Sequence, residues 1–290
     1  MKEVYSNTMQ SKIESLLERY GANDQRTDAW HAKRSTMLTA SEIWKGLKDA
    51  SPAARHELVM SKLVPRVYSE GAGARALVWG TRFEPVAKSI YCKLQGNIEI
   101  VDTTCVPHPK CNFLGASPDG IIITKDVEDF RYGKLVEFKC PISRIFSSET
   151  PVPIAYYHQM QLQMECTELD ECEYIEMGFK DMSYSPWMDS TAEFKSFFAV
   201  SDDDKEVLYK DIDDKRDVPT WRREVLKEDG DRWNIIYWVL NLWRAKTIEH
   251  DKNWLSDNIG SLQSVWDEVT THRLACTLPS NPKEKTTLTL

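Results

Sequence analysis

Gly115-Ala116-Ser117-Pro118-Asp119-Gly120 runs straight into the apolar stretch Ile121-Ile122-Ile123. After a charged connection (Lys125 to Gly133) comes Lys134-Leu135-Val136-Glu137-Phe138-Lys139-Cys140-Pro141. Two β-rich runs around a polar, glycine-containing linker predict a hairpin with a long loop. Side chains alternate along a strand, so Glu137 and Lys139 share a face and Phe138 enters the opposite layer. Pairing the strands brings Asp119 beside Glu137, with an ammonium two residues on. Two carboxylates and a lysine at one end of a hairpin suit a hard divalent cation beside a phosphate. The carboxylate oxygens hold the ion, and the lysine orients an attacking water or helps deprotonate it.

At 290 residues the chain is long enough for one large or two small domains with a real core. Apolar and charged fractions of 41% and 28% are those of an ordinary globular protein, so disorder is not the default. No uninterrupted apolar segment reaches bilayer length, and the first residues carry no signal-peptide core. Seven cysteines, an odd number scattered through apolar sequence (Cys92, Cys140, Cys166), suit a reducing compartment. An intracellular chain without a membrane partner is therefore expected. Net charge is −8, but between Arg26 and Gln95 twelve Lys/Arg face six Asp/Glu, a local +6 that leaves −14 for the remainder. A basic N-terminal third can focus a positive field into a cleft even in an acidic protein.

Outward from the hairpin, apolar positions 13, 16, 17 and 20 predict a short amphipathic helix stopped by Gly21. In Thr27–Trp44, Thr39 or Ser41 can cap a helix whose first amides are natural phosphate ligands, and Arg34 adds a bidentate charged donor. Ala74–Gln95 reads as a helix with a buried stripe at Leu77, Phe83, Ala87, Ile90 and Leu94. Glu84 inside that apolar run requires a partner, and Pro85 bends or restarts the helix. In Pro153–Cys166, Gln159, Gln161 and Gln163 alternate with Met160, Leu162 and Met164 as in a strand, while Tyr157, Met160 and Met164 fit a helical face. Length favours the helix. Glu173–Phe179 alternates as a strand, and Ser201–Asp217 is acidic and exposed. Trp233, Ile236, Tyr237, Leu240 and Trp243 fall on one helical face and read as a packing stripe. The last ten residues, from Asn281, read as a loose tail. Cys105, His108 and Cys111 have a spacing open to zinc or an iron–sulfur cluster, but no second knuckle accompanies them and prolines flank His108.

In this order the segments resemble the YqaJ-type viral recombination nucleases, the family of the phage lambda exonuclease, within the PD-(D/E)XK class. Five places carry the resemblance: Asp28-Ala29-Trp30-His31 through Arg34 to Thr39-Ala40-Ser41-Glu42; Ala76-Leu77 with Trp79-Gly80 and Glu84; Ser117-Pro118-Asp119-Gly120; Glu137-x-Lys139-Cys140-Pro141; and, more loosely, Ala155-Tyr156 with Gln159-x-Gln161. Together they cover about residues 27 to 180. The resemblance implies an α/β fold, a restriction-endonuclease-like core whose mixed central β-sheet is flanked by helices, with a C-terminal helical extension. It places a nuclease domain over 1–245 and an extension and tail over 246–290.

It further implies a Mg2+-dependent 5′-to-3′ exonuclease on double-stranded DNA, with Mn2+ as a substitute, serving recombination, repair or replication where viral DNA replicates, in host cytoplasm or nucleus. Asp119, Glu137, Glu84 and the Phe138 carbonyl would hold the metals. Lys139 would assist the water, and Gln159 would complete the metal environment or position that water. Arg34, Ser41 and Ser117, with Trp30 beside them, would grip the 5′-phosphate, and Leu77 would wedge the duplex end. A homotrimer and a single-strand annealing protein are partners of the family. Two alternatives stay open: an endonuclease of the same superfamily, and a non-catalytic module on DNA ends. The chain departs from the pattern in a longer, more charged connection between Ile123 and Leu135, a shorter spacer from Lys139 to Gln159, and unmatched sequence beyond about 245.

Overall fold

The computed structural model describes residues 2–64, 72–96, 98–227 and 232–282. Its first half runs α1 (Lys2–Tyr20), α2 (Asp28–Ser35), β1 (Leu38–Thr39), a 3-10 helix (Ala40–Gly46), α3 (Pro52–Leu63), α4 (Ala72–Leu94), β2 (Glu99–Val101), β3 (Val106–Pro107), β4 (Leu114–Ala116), β5 (Gly120–Ile123) and β6 (Leu135–Lys139). The second runs α5 (Ile154–Thr167), β7 (Glu171–Met182), α6 (Tyr184–Asp189), β8 (Lys195–Ser201), β9 (Val207–Tyr209), α7 (Val218–Trp221), a π-helical turn (Arg222–Leu226), β10 (Trp233–Glu249) and α8 (Trp254–Ala275).

The expected hairpin forms. β5 and β6 pair antiparallel, with Gly120 opposite Val136 and Ile121 opposite Leu135. They lie inside a seven-stranded sheet of order β2-β5-β6-β7-β10-β8-β9, mixed because β6 and β7 run parallel while the other neighbours are antiparallel. A smaller sheet, β1-β4-β3, sits beside it. Ser117-Pro118-Asp119 carries the chain from one sheet to the other. Gly120 is fixed by that crossing. Its φ is +151°, and a Cβ there would come within 2.9 Å of the Val101 carbonyl and 2.4 Å of Ile100 Cγ2, a conformation and a space that glycine alone accepts.

Alternation sorts the strand side chains into two cores. Ile121, Leu135, Cys172 and Tyr174 join α5, α3, the 3-10 helix and α8 through Met160, Leu58, Ile43, Leu262 and Val265. Val136, Phe138, Ile175, Met177 and Phe179 face the other way, against Phe83, Ala87, Ile90 and Tyr91 of α4. Phe83 stacks on Phe179 at 4.5 Å and meets Phe198 edge-on at 5.3 Å. Burying a side chain of this size contributes about 1.5–3 kcal/mol, so α4 is pinned on the sheet just one residue before Glu84.

Two expectations change. Trp233 to Trp243 is strand, not helix. In β10, Ile236 and Trp238 enter the α4 core while Val239, with Ile235 and Tyr237 against it, enters a third cluster around Trp187, Phe197 and Trp221. Both faces are covered, so nearly every position is apolar and any period can be drawn through the run; pairing with β7 on one side and β8 on the other decides it. Leu77 leaves the buried stripe of α4 and is 57% exposed. The boundary expected at 245 falls within β10, and the helix of the C-terminal extension, α8, packs into the first core. The tail beyond 282 lies outside the described residues.

Candidate active site

One half of the site is built around Arg34. Thr27 caps α2 by accepting the Trp30 amide (3.3 Å), and four residues along the helix bring the Arg34 guanidinium over the Trp30 indole, 4.2 Å from its centroid. Arg34 donates to Ser117 Oγ (3.2 Å), Thr39 Oγ1 (3.1 Å) and Ser41 Oγ (3.0 Å), while Trp30 Nε1 donates to Ser117 Oγ (3.1 Å). Three hydroxyls and an indole face thus hold a guanidinium in place, a planar fork of donors suited to an anion. Thr39 does begin a helix, through a capping box with Glu42, but that helix is a seven-residue 3-10 segment. Its amides are less well aligned than those of an α-helix, and Arg34 carries the charge instead. Glu42 is buried and paired with Lys62, and despite the penalty of burial Lys62 and Thr39 hold its carboxyl below the usual range. Lys62 also donates to the Arg34 carbonyl (3.3 Å).

The other half lies across Pro118. Asp119 accepts the Phe138 amide on Oδ2 (2.7 Å), which locks it to β6 one residue from Glu137. Glu137 is 1% exposed. Its Oε1 accepts from the Lys139 ammonium and from Gln159 Nε2 (2.7 Å), and its Oε2 from Gln163 Nε2 (2.6 Å). Lys139 also donates to Gln159 Oε1 (3.3 Å) and sits over the Tyr156 ring at 4.6 Å. Glu84 approaches from α4, its carboxylate 2.7 Å from the Arg26 guanidinium.

Charge explains the character of this half. Burial, then the neighbouring Glu137 and Glu84 carboxylates, push the Asp119 carboxyl well above the ordinary aspartate range, outweighing Lys139 and the Phe138 amide. Glu84 is raised as well, by burial first and by Glu137, with Arg26 and Lys139 pulling back. Burial disfavours the Lys139 ammonium, yet Glu137 and Asp119 outweigh it and hold the amine above the ordinary lysine value. Cys140 next door is kept a neutral thiol by burial and by Glu84 and Asp119.

Apart from Leu77 and Phe138, the expected side chains lie in one of two adjoining places. Asp119, Glu137, Lys139, Gln159 and Glu84 gather at the end of the hairpin; Trp30, Arg34, Ser41 and Ser117 gather one turn of chain away. The Phe138 side chain turns into the α4 core, leaving only its main chain at the site. Leu77 stands apart, exposed near the start of α4. Gln161 turns away: it donates to the Glu249 carbonyl and accepts the Asp251 amide, both at 2.8 Å, and ties α5 to the end of β10.

Arg26 and Gln163 carry no site role in the sequence reading, where Thr39 enters as a helix cap and Tyr156 only within the resemblance. The signal for Gln163 was the i, i+4 spacing from Gln159, hidden by the strand-like alternation of Gln with Met and Leu. Cys105, His108 and Cys111 form no metal knuckle. Cys105 packs its sulfur on Met37 (3.7 Å), and His108 Nδ1 accepts the amides of Lys110 and Cys111 (both 3.0 Å), closing a loop.

Among the described residues no three His, Cys, Asp or Glu side chains converge as a ready metal cage. At the hairpin end the acids turn instead to Lys139, the glutamines and the Phe138 amide. The donor set nevertheless fits a hard cation. Its groups are carboxylate and amide oxygens, its one nearby sulfur is a neutral thiol, and two of its acids are strained by like charge that a cation would relieve.

A mixed sheet flanked by helices, with acid, acid and lysine on an internal hairpin and a helix acid beside them, defines the PD-(D/E)XK class of fold. Residues 29–170 match the YqaJ-like viral recombinase domain, and that stretch of the chain is similar to the YqaJ-type family. In structure it is similar to an alkaline exonuclease (LHK-Exo) from Laribacter hongkongensis, with a TM-score of 0.50, 19% identity, and 86% of this chain and 96% of that one covered. LHK-Exo in complex with dAMP matches with the same score and identity, over 86% of this chain and 98% of that one. This likeness is one of fold. In sequence the chain is similar to Uncharacterized protein R354 of Acanthamoeba polyphaga mimivirus, 22% identical over 86% of this chain and 53% of that protein. The chain thus spans about half the length of this relative. Among the described residues no helix is long and apolar enough to cross a membrane.

Proposed function

We propose that the chain is a Mg2+-dependent deoxyribonuclease that removes nucleotides 5′ to 3′ from 5′-phosphorylated ends of double-stranded DNA, in viral recombination, repair or replication. The observation that carries this reading is the adjacency of two unlike side-chain clusters, one cationic and rich in hydroxyls at Arg34, Ser41 and Ser117, the other acidic at Asp119, Glu137 and Glu84, joined through Pro118. A pocket for a terminal phosphate beside a hydrolytic centre selects ends over internal bonds. The name of the similar solved protein, an exonuclease, and the viral recombinase domain support the same reading.

Asp119, Glu137, Glu84 and the Phe138 carbonyl would hold the metal, with Mn2+ a fair substitute. When bound, it would supply an activated water and neutralise charge building on the phosphorus and the leaving oxygen. The protein's own groups do the rest. Arg34, held over Trp30, anchors the terminal phosphate and so fixes which bond lies over the acids. Lys139, held as an ammonium, donates toward phosphoryl oxygen, and Gln159 keeps Glu137 and Lys139 aligned. Leu77, exposed on α4, splays the duplex end. By resemblance, the oligomer is a trimer and the working partner a single-strand annealing protein, at the intracellular site of viral DNA replication.

Digestion of end-labelled linear duplex, with and without Mg2+ and with 5′-phosphate or 5′-hydroxyl ends, tests the reading beside a covalently closed circle. Release of 5′-terminal label from phosphorylated ends, dependent on Mg2+, is expected. Efficient cutting of the circle would identify an endonuclease, and binding of ends without any release a non-catalytic module.

A further inference from the structure

Glu176 of β7 stands directly opposite Lys139 of β6, so the two side chains leave the same face of the sheet on adjacent strands, about 4.8 Å apart. Glu176 is fully buried and answered twice. Arg244 from β10 donates Nε to its Oε2 (2.9 Å), and Arg144 donates Nη2 to its Oε1. One anion between two guanidiniums leaves a surplus positive charge beside Lys139. Arg144 is the outer of the two, with 32% of its side chain exposed. Its Nη2 also donates to the Tyr174 hydroxyl (3.0 Å), and its Cζ lies 5.9 Å from the centroid of Tyr156, the ring that Lys139 also covers. Its Nε and Nη1 donors have no partner among the described residues, so it has hydrogen bonds to spare for an anion. The segment between β6 and α5 is tied down without it: Phe146 is buried under Arg244, and Arg244 donates to the Thr150 carbonyl.

We propose that Arg144 grips the backbone phosphate one step beyond the scissile bond of the strand being digested. The order of groups across the end of the sheet carries this. Asp119 leads into β5, Glu137 and Lys139 lie on β6, and Glu176 holds Arg144 at β7, three neighbouring strands in that order. Arg34 lies on the Asp119 side, joined through Ser117. With the terminal phosphate at Arg34 and the next phosphate over the acids, the strand runs on across β6 toward β7, and its following phosphate meets the free donors of Arg144. Two guanidiniums, one on each side of the acids, then fix the register of the strand through its backbone, without reading its bases. The inference rests on the reading of Asp119, Glu137 and Glu84 as the hydrolytic centre and of Arg34 as the anchor of the terminal phosphate.

Binding of 5′-phosphorylated duplex by the full chain, read by fluorescence anisotropy in EDTA and separately in CaCl2, tests it. The duplexes carry one uncharged methylphosphonate linkage, after the first, second or third nucleotide of the 5′ strand or at matching places in the complementary strand. The parent is expected to bind about tenfold more weakly when the linkage after the second nucleotide is neutral, the loss of one charge-assisted contact. Arg144→Gln is expected to bind the all-phosphate duplex about tenfold more weakly and to be indifferent to that same linkage. A merely structural arginine would not produce this coupling: the two losses would multiply. Arg144→Met replaces the glutamine variant should that one fold poorly, and the series on the parent needs no variant at all. A parent indifferent to the linkage after the second nucleotide, sensitivity confined to the complementary strand, or losses that multiply overturns the role of Arg144 and leaves the nuclease reading to its own cleavage test. A parent that binds no duplex end overturns that reading, and this inference with it.

Discussion

The two halves of the site, separated by one proline, differ in sign and in how fully their polar groups are satisfied. Around Arg34 every contact is complementary: a cation on an aromatic face, three hydroxyls accepting from it, Glu42 answered by Lys62. Around Asp119 three acids crowd one another, and Lys139 and Arg26 answer them only in part. The first half is stable as built and needs no ligand to hold its shape. The second stores electrostatic strain that a cation would discharge. Substitutions should therefore move stability in opposite directions in the two halves, even where both impair the same reaction.

The largest expected effect is at the acids. Asp119→Asn keeps the acceptor for the Phe138 amide but removes the charge, and DNA release should fall roughly a hundred- to a thousandfold, as when other charge-stabilising groups are removed. The same change should stabilise the metal-free fold by about 1–2 kcal/mol, with about 2–4 °C in melting temperature for each kcal/mol in a chain of this size. The sign with pH follows from the raised carboxyl of Asp119. A group whose folded pKa lies above its unfolded value contributes fully below the unfolded value, and that contribution is lost as pH rises through the folded one. In EDTA the melting advantage of Asp119→Asn over the parent should vanish near pH 4 and grow toward alkaline pH. A gap that stays flat with pH would mean the acids are not strained.

Next in size is the opposite half. Arg34→Ala removes a charged donor, and binding of a 5′-phosphorylated end should weaken by about 2 kcal/mol, roughly thirtyfold, with the preference over a 5′-hydroxyl end erased. The change should appear in KM and in a shallower salt dependence, by about one unit of slope, with kcat little altered. Unlike Asp119→Asn it should lower the melting temperature, since the hydroxyls and indole lose their common partner. A variant that binds phosphorylated and hydroxyl ends with the parent's preference would remove this half from the DNA site.

Local chemistry made the hairpin and its facing side chains legible in sequence, whereas the grouping of Arg34 with Ser41, Ser117 and Trp30 came from the family resemblance. Period two placed Glu137 with Lys139, and Ser-Pro-Asp-Gly led into the hairpin; that it crosses between two sheets, a passage fixed by Gly120, shows only in the fold. Two kinds of feature escaped. β10 is apolar on both faces, so its residues carried no period, and only its pairing with β7 and β8 reveals it as a strand. Gln163 looked like one of three alternating glutamines. It is separated from Gln161 by function only once α5 is wound, when one amide turns to Glu137 and the other to the end of β10. The sorting of site residues into a satisfied half and a strained half was likewise invisible, because it depends on distances across Pro118 and from α4.

The smallest expected effect is at Leu77, which belongs to neither half. With 57% of its surface exposed, it contributes little to the core, and Leu77→Ala should leave stability within about 0.5 kcal/mol of the parent. Its proposed work is on the substrate: an apolar side chain on α4 that replaces the stacking lost when the terminal base pair opens. Opening a pair costs of the order of 1–2 kcal/mol in stacking, so the variant should digest blunt duplex a few-fold more slowly. A substrate whose terminal bases are already mismatched should restore the parent rate, because there is no pair left to open. Equal slowing on blunt and mismatched ends would assign Leu77 to DNA binding in general and leave the splaying of the end to another residue.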